Sequence, residues 1–136
     1  MGRVFFNTRK NVHALDGAYT MLASDSGKTF MLSATGGTVA ITLLPAADLE
    51  EGWHSKFVIK EDTPTGVITM AAGSSIIDMV HKDAGGDASN STAGTAVDNI
   101  IVGATSTQGD MINLFTDGTT WYAECLSGIN DAITTS

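Results

Sequence analysis

Residues 111–126 contain Met111-Ile112-Asn113-Leu114-Phe115, the turn Thr116-Asp117-Gly118-Thr119, and Trp121-Tyr122-Ala123-Glu124-Cys125-Leu126. Two alternating apolar runs flank an Asp-Gly pair, which tolerates the positive φ that a tight hairpin turn needs. The stretch therefore predicts an antiparallel β-hairpin. Trp121, Ala123 and Cys125 share one face, and a slip of one residue would turn all three away from the core. Trp121 is the expected anchor of that core, and Cys125 a small buried residue within it.

Outward from this hairpin the pattern repeats. Tyr19-Thr20-Met21-Leu22 precedes the turn Ser24-Asp25-Ser26-Gly27. Lys28 to Leu32 alternates, with Phe30 and Leu32 on one face. After Thr35-Gly36-Gly37, Val39, Ile41 and Leu43 share a face, and Pro45 ends that strand because it has no N–H for a ladder. Ala46 to Gly52 reads as one helical turn stopped by Gly52. Trp53, Phe57 and Ile59 follow, with Lys56, Val58 and Lys60 opposite the last two. Glu61-Asp62-Thr63-Pro64-Thr65-Gly66 is turn-rich. Val67–Met70, Ile76–Val80 and Ile100–Val102 are further short strands. Residues 83–96 read as a long surface loop without a large apolar side chain. Eight or nine short strands and no long helix imply an all-β domain: a single β-sandwich, jelly-roll-like or small barrel-like. Residues 1–18 are expected to form an N-terminal arm, and residues 19–136 the β-sandwich domain.

Composition agrees. Thr, Ala, Gly and Ser make up 60 of the 136 residues, and only 16% are charged. This disfavours a helical bundle, and the 43% apolar share disfavours disorder. No apolar run approaches a transmembrane length, and the first residues lack the pattern of a secretion signal. The net charge of −8 is uneven. Arg3, Arg9 and Lys10 make residues 1–12 basic, whereas the remainder is strongly acidic. An acidic body repels phosphate, so nucleic acid is not an expected partner. A single cysteine excludes an intrachain disulfide and suits synthesis in a reducing cytoplasm.

The search for chemistry returns little. His13, His54 and His81 have no metal-ligand partner at helical or strand spacing, and read as surface or turn histidines. No nucleophile elbow, phosphate-binding loop or Cys-x-x-Cys pair is present, so neither an enzyme nor a cofactor is expected. Asp78, Asp83, Asp87 and Asp98 flank the long loop and carry oxygens that suit calcium, but without EF-hand spacing; a solvated acidic loop is the expectation. The sharper signal is the basic start. Phe5 and Phe6 lie between Arg3 and Arg9, and aromatic and Arg side chains are common interface anchors. Val4-Phe5-Phe6 is also strand-like. Arg3, Val4, Phe5, Phe6, Arg9 and Lys10 are therefore candidate docking residues, against the plainer reading that they form the first strand of their own domain.

Asp25-Ser26-Gly27-Lys28-Thr29-Phe30, Val39-Ala40-Ile41-Thr42-Leu43-Leu44-Pro45, Gly52-Trp53, Lys56-Phe57-Val58-Ile59, Val67-Ile68-Thr69-Met70 and Asp117–Tyr122 occur in that order. In this order the chain resembles capsid decoration (cement) proteins of tailed bacteriophages, small β-rich virion proteins, over roughly residues 19–126. It departs from them at Leu44 and in the loop 83–96. The resemblance implies a structural protein of the outer capsid surface, made in the bacterial host cytoplasm. It implies a homotrimer that contacts the major capsid protein and bridges its subunits, with no membrane or nucleic-acid partner. An alternative is a tail-fibre or receptor-binding module for a host surface glycan, using Trp53, Tyr122 and the Asn-containing loop.

Overall fold

The computed structural model describes residues 11–33, 38–61, 68–71, 77–83, 93–129 and 131–136. Among them the strands are β1 (Val12–Leu15), β2 (Tyr19–Thr20), β3 (Thr29–Leu32), β4 (Val39–Thr42), β5 (His54–Ile59), β6 (Ile68–Ala71), β7 (Ile77–Asp83), β8 (Ala93–Val97), β9 (Asn99–Val102), β10 (Met111–Thr116), β11 (Trp121–Ser127) and β12 (Ile133–Thr135). Two single 3-10 turns, Ala23–Asp25 and Ala46–Asp48, are the helical elements among the described residues. The protein is all-β.

The strands form a seven-stranded sheet, ordered β1-β3-β5-β10-β11-β7-β8, and a five-stranded sheet, ordered β12-β9-β6-β4-β2. The 111–126 hairpin is present with Trp121, Ala123 and Cys125 on one face as expected; Ile112 lies opposite Cys125, Leu114 opposite Ala123 and Thr116 opposite Trp121, so the loop runs one residue past the expected turn, through Thr120. Gly118 takes the positive φ that the turn demands, +88°. One cluster of buried side chains joins the inner faces of the two sheets. Phe30, Phe57 and Trp121 reach it from the larger sheet; Ile41, Ile100 and Ile133 reach it from the smaller. Alternation along each strand produces this: in β11 the buried residues are Trp121, Ala123, Cys125 and Ser127.

Trp121 is fully buried and Trp53 nearly so. Their rings meet edge to face, 5.1 Å apart at 86°, an arrangement that sets the positive edge of one ring on the negative face of the other. Each buried indole N–H has a partner. Trp121 Nε1 donates to the Leu44 carbonyl at 3.0 Å, and Trp53 Nε1 to the Leu22 and Ala23 carbonyls at 3.2 Å.

The first half of the chain is wound differently from a jelly roll. β1, β3 and β5 lie side by side and parallel in one sheet, while β2, β4 and β6 do the same in the other. The chain passes from sheet to sheet and returns in the same direction each time. From β7 onward most neighbouring pairs are antiparallel, apart from β7 against β11. Among the described residues both sheets are open, ending at β1 and β8 and at β12 and β2, and do not close into a barrel. Parallel return strands leave edges that no hairpin closes.

Three further differences from the sequence reading concern boundaries. Val12–Leu15, expected in the 1–18 arm, form β1, because the alternation of His13 and Leu15 gives β3 a half-buried neighbour. Both ends of the expected loop 83–96 are strand: Asp83 ends β7 and Ala93–Val97 form β8, since small and β-branched residues serve an edge strand without a large side chain. Residues 84–92 lie outside the described residues, as do the turns at 35–37 and 62–66. Ile133–Thr135 form β12 against β9, a strand the sequence reading did not contain.

Candidate functional site

Asp25 sits at the end of the first 3-10 turn with no exposed surface. Burial pushes its carboxyl pKa up, but its hydrogen bonds outweigh that and hold it below the ordinary 3.8. Lys28 Nζ donates at 2.7 Å, the Leu22 N–H at 2.8 Å and the Tyr19 hydroxyl at 3.0 Å. Burial, followed by the Asp25 contact, raises the Tyr19 pKa. Beside this carboxylate the Gly27 N–H donates to the His54 carbonyl at 2.8 Å, and Ser55 Oγ to the Lys28 carbonyl at 2.8 Å. The group thus ties β2, β3 and β5 together and acts as a scaffold.

The second 3-10 turn ends at Leu49, short of the expected stop at Gly52 (φ +86°), and Asp48 and residues 50–53 line a cleft of about 440 Å³. Asp48, Glu50 and Glu51 stand around it with Ser26 and Trp53. The three carboxylates are exposed and do not converge: among the described residues no three His, Cys, Asp or Glu side chains are close enough to hold a metal ion. The cleft is an acidic notch.

The other surface of note is the outer face of the seven-stranded sheet. It is built from the alternate residues of the strands that line the core, and three rows cross it. Met31, Val58, Met111 and Leu126 form one row in mutual register. Thr29, Lys56, Asn113 and Glu124 form the next, and His54, Phe115 and Tyr122 the third. Phe115 is 48% exposed and Leu126 37%. Phe115 and Tyr122 stack at 5.0 Å with 18° between their planes. A solvated sheet face ordinarily carries polar residues; here the first and third rows are largely apolar or aromatic.

Asp117 closes the hairpin beside this face. Its Oδ1 accepts the N–H groups of Thr119 and Thr120, each at 2.8 Å, and its Oδ2 accepts the Tyr122 hydroxyl at 3.1 Å. The two backbone hydrogen bonds lead in lowering its pKa to about 2. Cys125 is fully buried and free of any disulfide, and burial, helped by the charge of Glu124, pushes its thiol up to about 12. It belongs to the core, as expected.

The sequence-selected docking residues Arg3, Val4, Phe5, Phe6, Arg9 and Lys10 lie outside the described residues. The described chain begins at Asn11, whose carbonyl accepts the Thr29 N–H at 2.7 Å beside the edge strand β1. Of the four aspartates weighed for calcium, Asp98 is exposed; Asp87 and the side chains of Asp78 and Asp83 lie outside what is described. Of the two aromatics weighed for glycan contact, Trp53 is in the core and Tyr122 is half-buried on the outer face. His54 is exposed, with Nδ1 at 3.0 Å from the Gly52 carbonyl, and His13 is half-buried beside Phe30. The outer face itself escaped sequence reading: alternation marks each residue as outward, but only the strand order aligns them in rows.

Comparison with protein families, characterised proteins and solved structures finds no match for the chain. Among the described residues no helix is long and apolar enough to cross a membrane.

Proposed function

We propose that the protein is a capsid decoration protein of a tailed bacteriophage. In this reading it forms a homotrimer on the outer shell, touches the major capsid protein and bridges its subunits. Binding the assembled shell, and not its separated subunits, stabilises the shell by mass action. The observation that carries the reading is the exposed, largely apolar outer face of the seven-stranded sheet. Such faces serve protein contact, and the acidic notch at Glu50 and Glu51 lacks the built interior of a small-molecule site. The motifs behind the resemblance support the same framework. Asp25 fixes a turn, Val39 and Ile41 line the core, and Trp53 and Trp121 anchor it. Arg3, Val4, Phe5, Phe6, Arg9 and Lys10 remain the proposed shell-docking residues.

The test is co-sedimentation of the purified protein with emptied shells of the phage that encodes it. Saturable binding at hundreds of copies per shell is the expected result. Deleting residues 1–10 should abolish binding and leave the fold intact; no binding by the intact chain would refute the proposal.

A second reading, a receptor-binding module for a surface glycan, is favoured by one observation. The exposed Phe115–Tyr122 stack sits next to the Asp117 carboxylate, the pairing of ring face and acceptor that sugars use. Binding to host-cell polysaccharide that Phe115→Ala removes, together with absence from emptied shells, would select it.

A further inference from the structure

We infer that the outer face of the seven-stranded sheet is where copies of this chain meet, around a rotation axis that runs along β10. Lys56, Asn113 and Glu124 are register partners on β5, β10 and β11, so they stand at one height along the strands. Neighbouring strands are about 4.8 Å apart, which puts Lys56 and Glu124 about 10 Å apart on either side of Asn113. The Asn113 side-chain amide donates to Glu124 at 3.2 Å. Lys56 and Glu124 are exposed, and among the described residues neither makes an ion pair.

Rotation about an axis parallel to β10 preserves height and brings the β5 side of one copy against the β11 side of the next. Lys56 of one copy then faces Glu124 of its neighbour. The row above and the row below obey the same rule. Val58 meets Leu126 with Met111 near the axis, and His54 meets Tyr122 with Phe115 near the axis. An in-plane axis perpendicular to the strands would set Lys56 on Lys56 and Glu124 on Glu124. Like charges across an interface oppose association, so the charge pattern selects the axis along the strands. Four strands and three outward rows make a patch of about 400 Å², the scale of patches that serve as contact sites. That three copies assemble rests on the decoration reading; the face and the axis do not.

Sedimentation velocity over a concentration series reads the association. The wild type should sediment as an oligomer. Lys56→Glu and Glu124→Lys should each raise the dissociation constant at least about tenfold at low salt, because each sets like charges together. The double variant Lys56→Glu/Glu124→Lys should return to within about threefold of the wild type, since the pair is restored in reverse. Met111→Lys, which gathers like charges at the axis, should dissociate the oligomer without the charge pair being touched. Circular dichroism and the melting temperature check that all four variants fold. A wild type monomeric up to about 1 mM, single reversals without effect, or a double variant as dissociated as the singles would overturn the inference. An oligomer that behaves as expected but does not bind shells would leave this face standing and remove the decoration reading.

Discussion

Two acid–glycine turns feed the same sheet and place an aromatic in the same core, yet they hold the molecule in different ways. Asp25-Ser26-Gly27 leads through Lys28 and Thr29 to Phe30; Asp117-Gly118 leads through Thr119 and Thr120 to Trp121. Gly27 and Gly118 both have positive φ, +80° and +88°. Asp117 is exposed, and its partners Thr119, Thr120 and Tyr122 lie within its own hairpin. Asp25 is buried and gathers Tyr19, Leu22 and Lys28, next to the Leu22 and Ala23 carbonyls that receive the Trp53 indole. The Asp117 turn closes an antiparallel pair, where the strands are joined directly. The Asp25 turn belongs to the winding half, where β3 is joined to its parallel neighbours only through the opposite sheet, so a polar anchor has to supply what no hairpin does.

The comparison predicts a ranking. Trp121→Ala removes the ring that both halves pack against and should cost about 4 kcal/mol, measured by urea unfolding. A loss under about 1 kcal/mol would mean that the core does not pass through Trp121.

Asp25→Asn keeps the shape but removes the charge that Lys28 and the Leu22 N–H bind, and should cost about 2 kcal/mol. Asp117→Asn should cost less, because water replaces its partners at an exposed turn. If the two variants are equally stable, the contrast between the turns is false.

Acid titration sharpens the same contrast. Both carboxyls have folded pKa values below their ordinary one, so each stabilises the fold above about pH 4 and loses that contribution as the pH falls through its folded value. Asp25→Asn should therefore lie well below the wild type near pH 6 and approach it as the pH falls below about 4 and through the folded pKa of Asp25. For Asp117 the loss runs down to its folded pKa of about 2. The smallest expected effect is that of Phe115→Ala on stability, about 0.5 kcal/mol, because the ring is half exposed.

The same contrast explains what the sequence could tell. The hairpin was readable because its instructions are local: Asp117-Gly118 sets the turn, and alternation sets the faces. Phe30 with Leu32, and Val39 with Ile41, were readable as inward pairs for the same reason. Alternation, however, says which side of a strand is buried and not which strand lies beside it. Val12 pairs with Thr29 and Thr29 with Lys56, at unequal separations along the chain, so no period betrays the winding. Asp25 looked like a turn residue because its partners Tyr19, Leu22 and Lys28 lie within six residues of it, while its burial comes from the packing of the sheets around it; β1, β8 and β12 carry little apolar weight. The apolar row Met31, Val58, Met111 and Leu126 is scattered over four strands, and its members meet only once β3, β5, β10 and β11 are ordered.

Cys125 gives the fold a built-in clock. It lies in β11 between β10 and β7, in the middle of the seven-stranded sheet, and its thiol is held protonated well above neutral pH. A thiol reagent needs the thiolate in contact with solvent, so the native sheet is silent and each labelling event records an opening. The labelling rate in plain buffer then reads how often the sheet parts. A neighbouring copy that braces the sheet would slow that rate with no denaturant added.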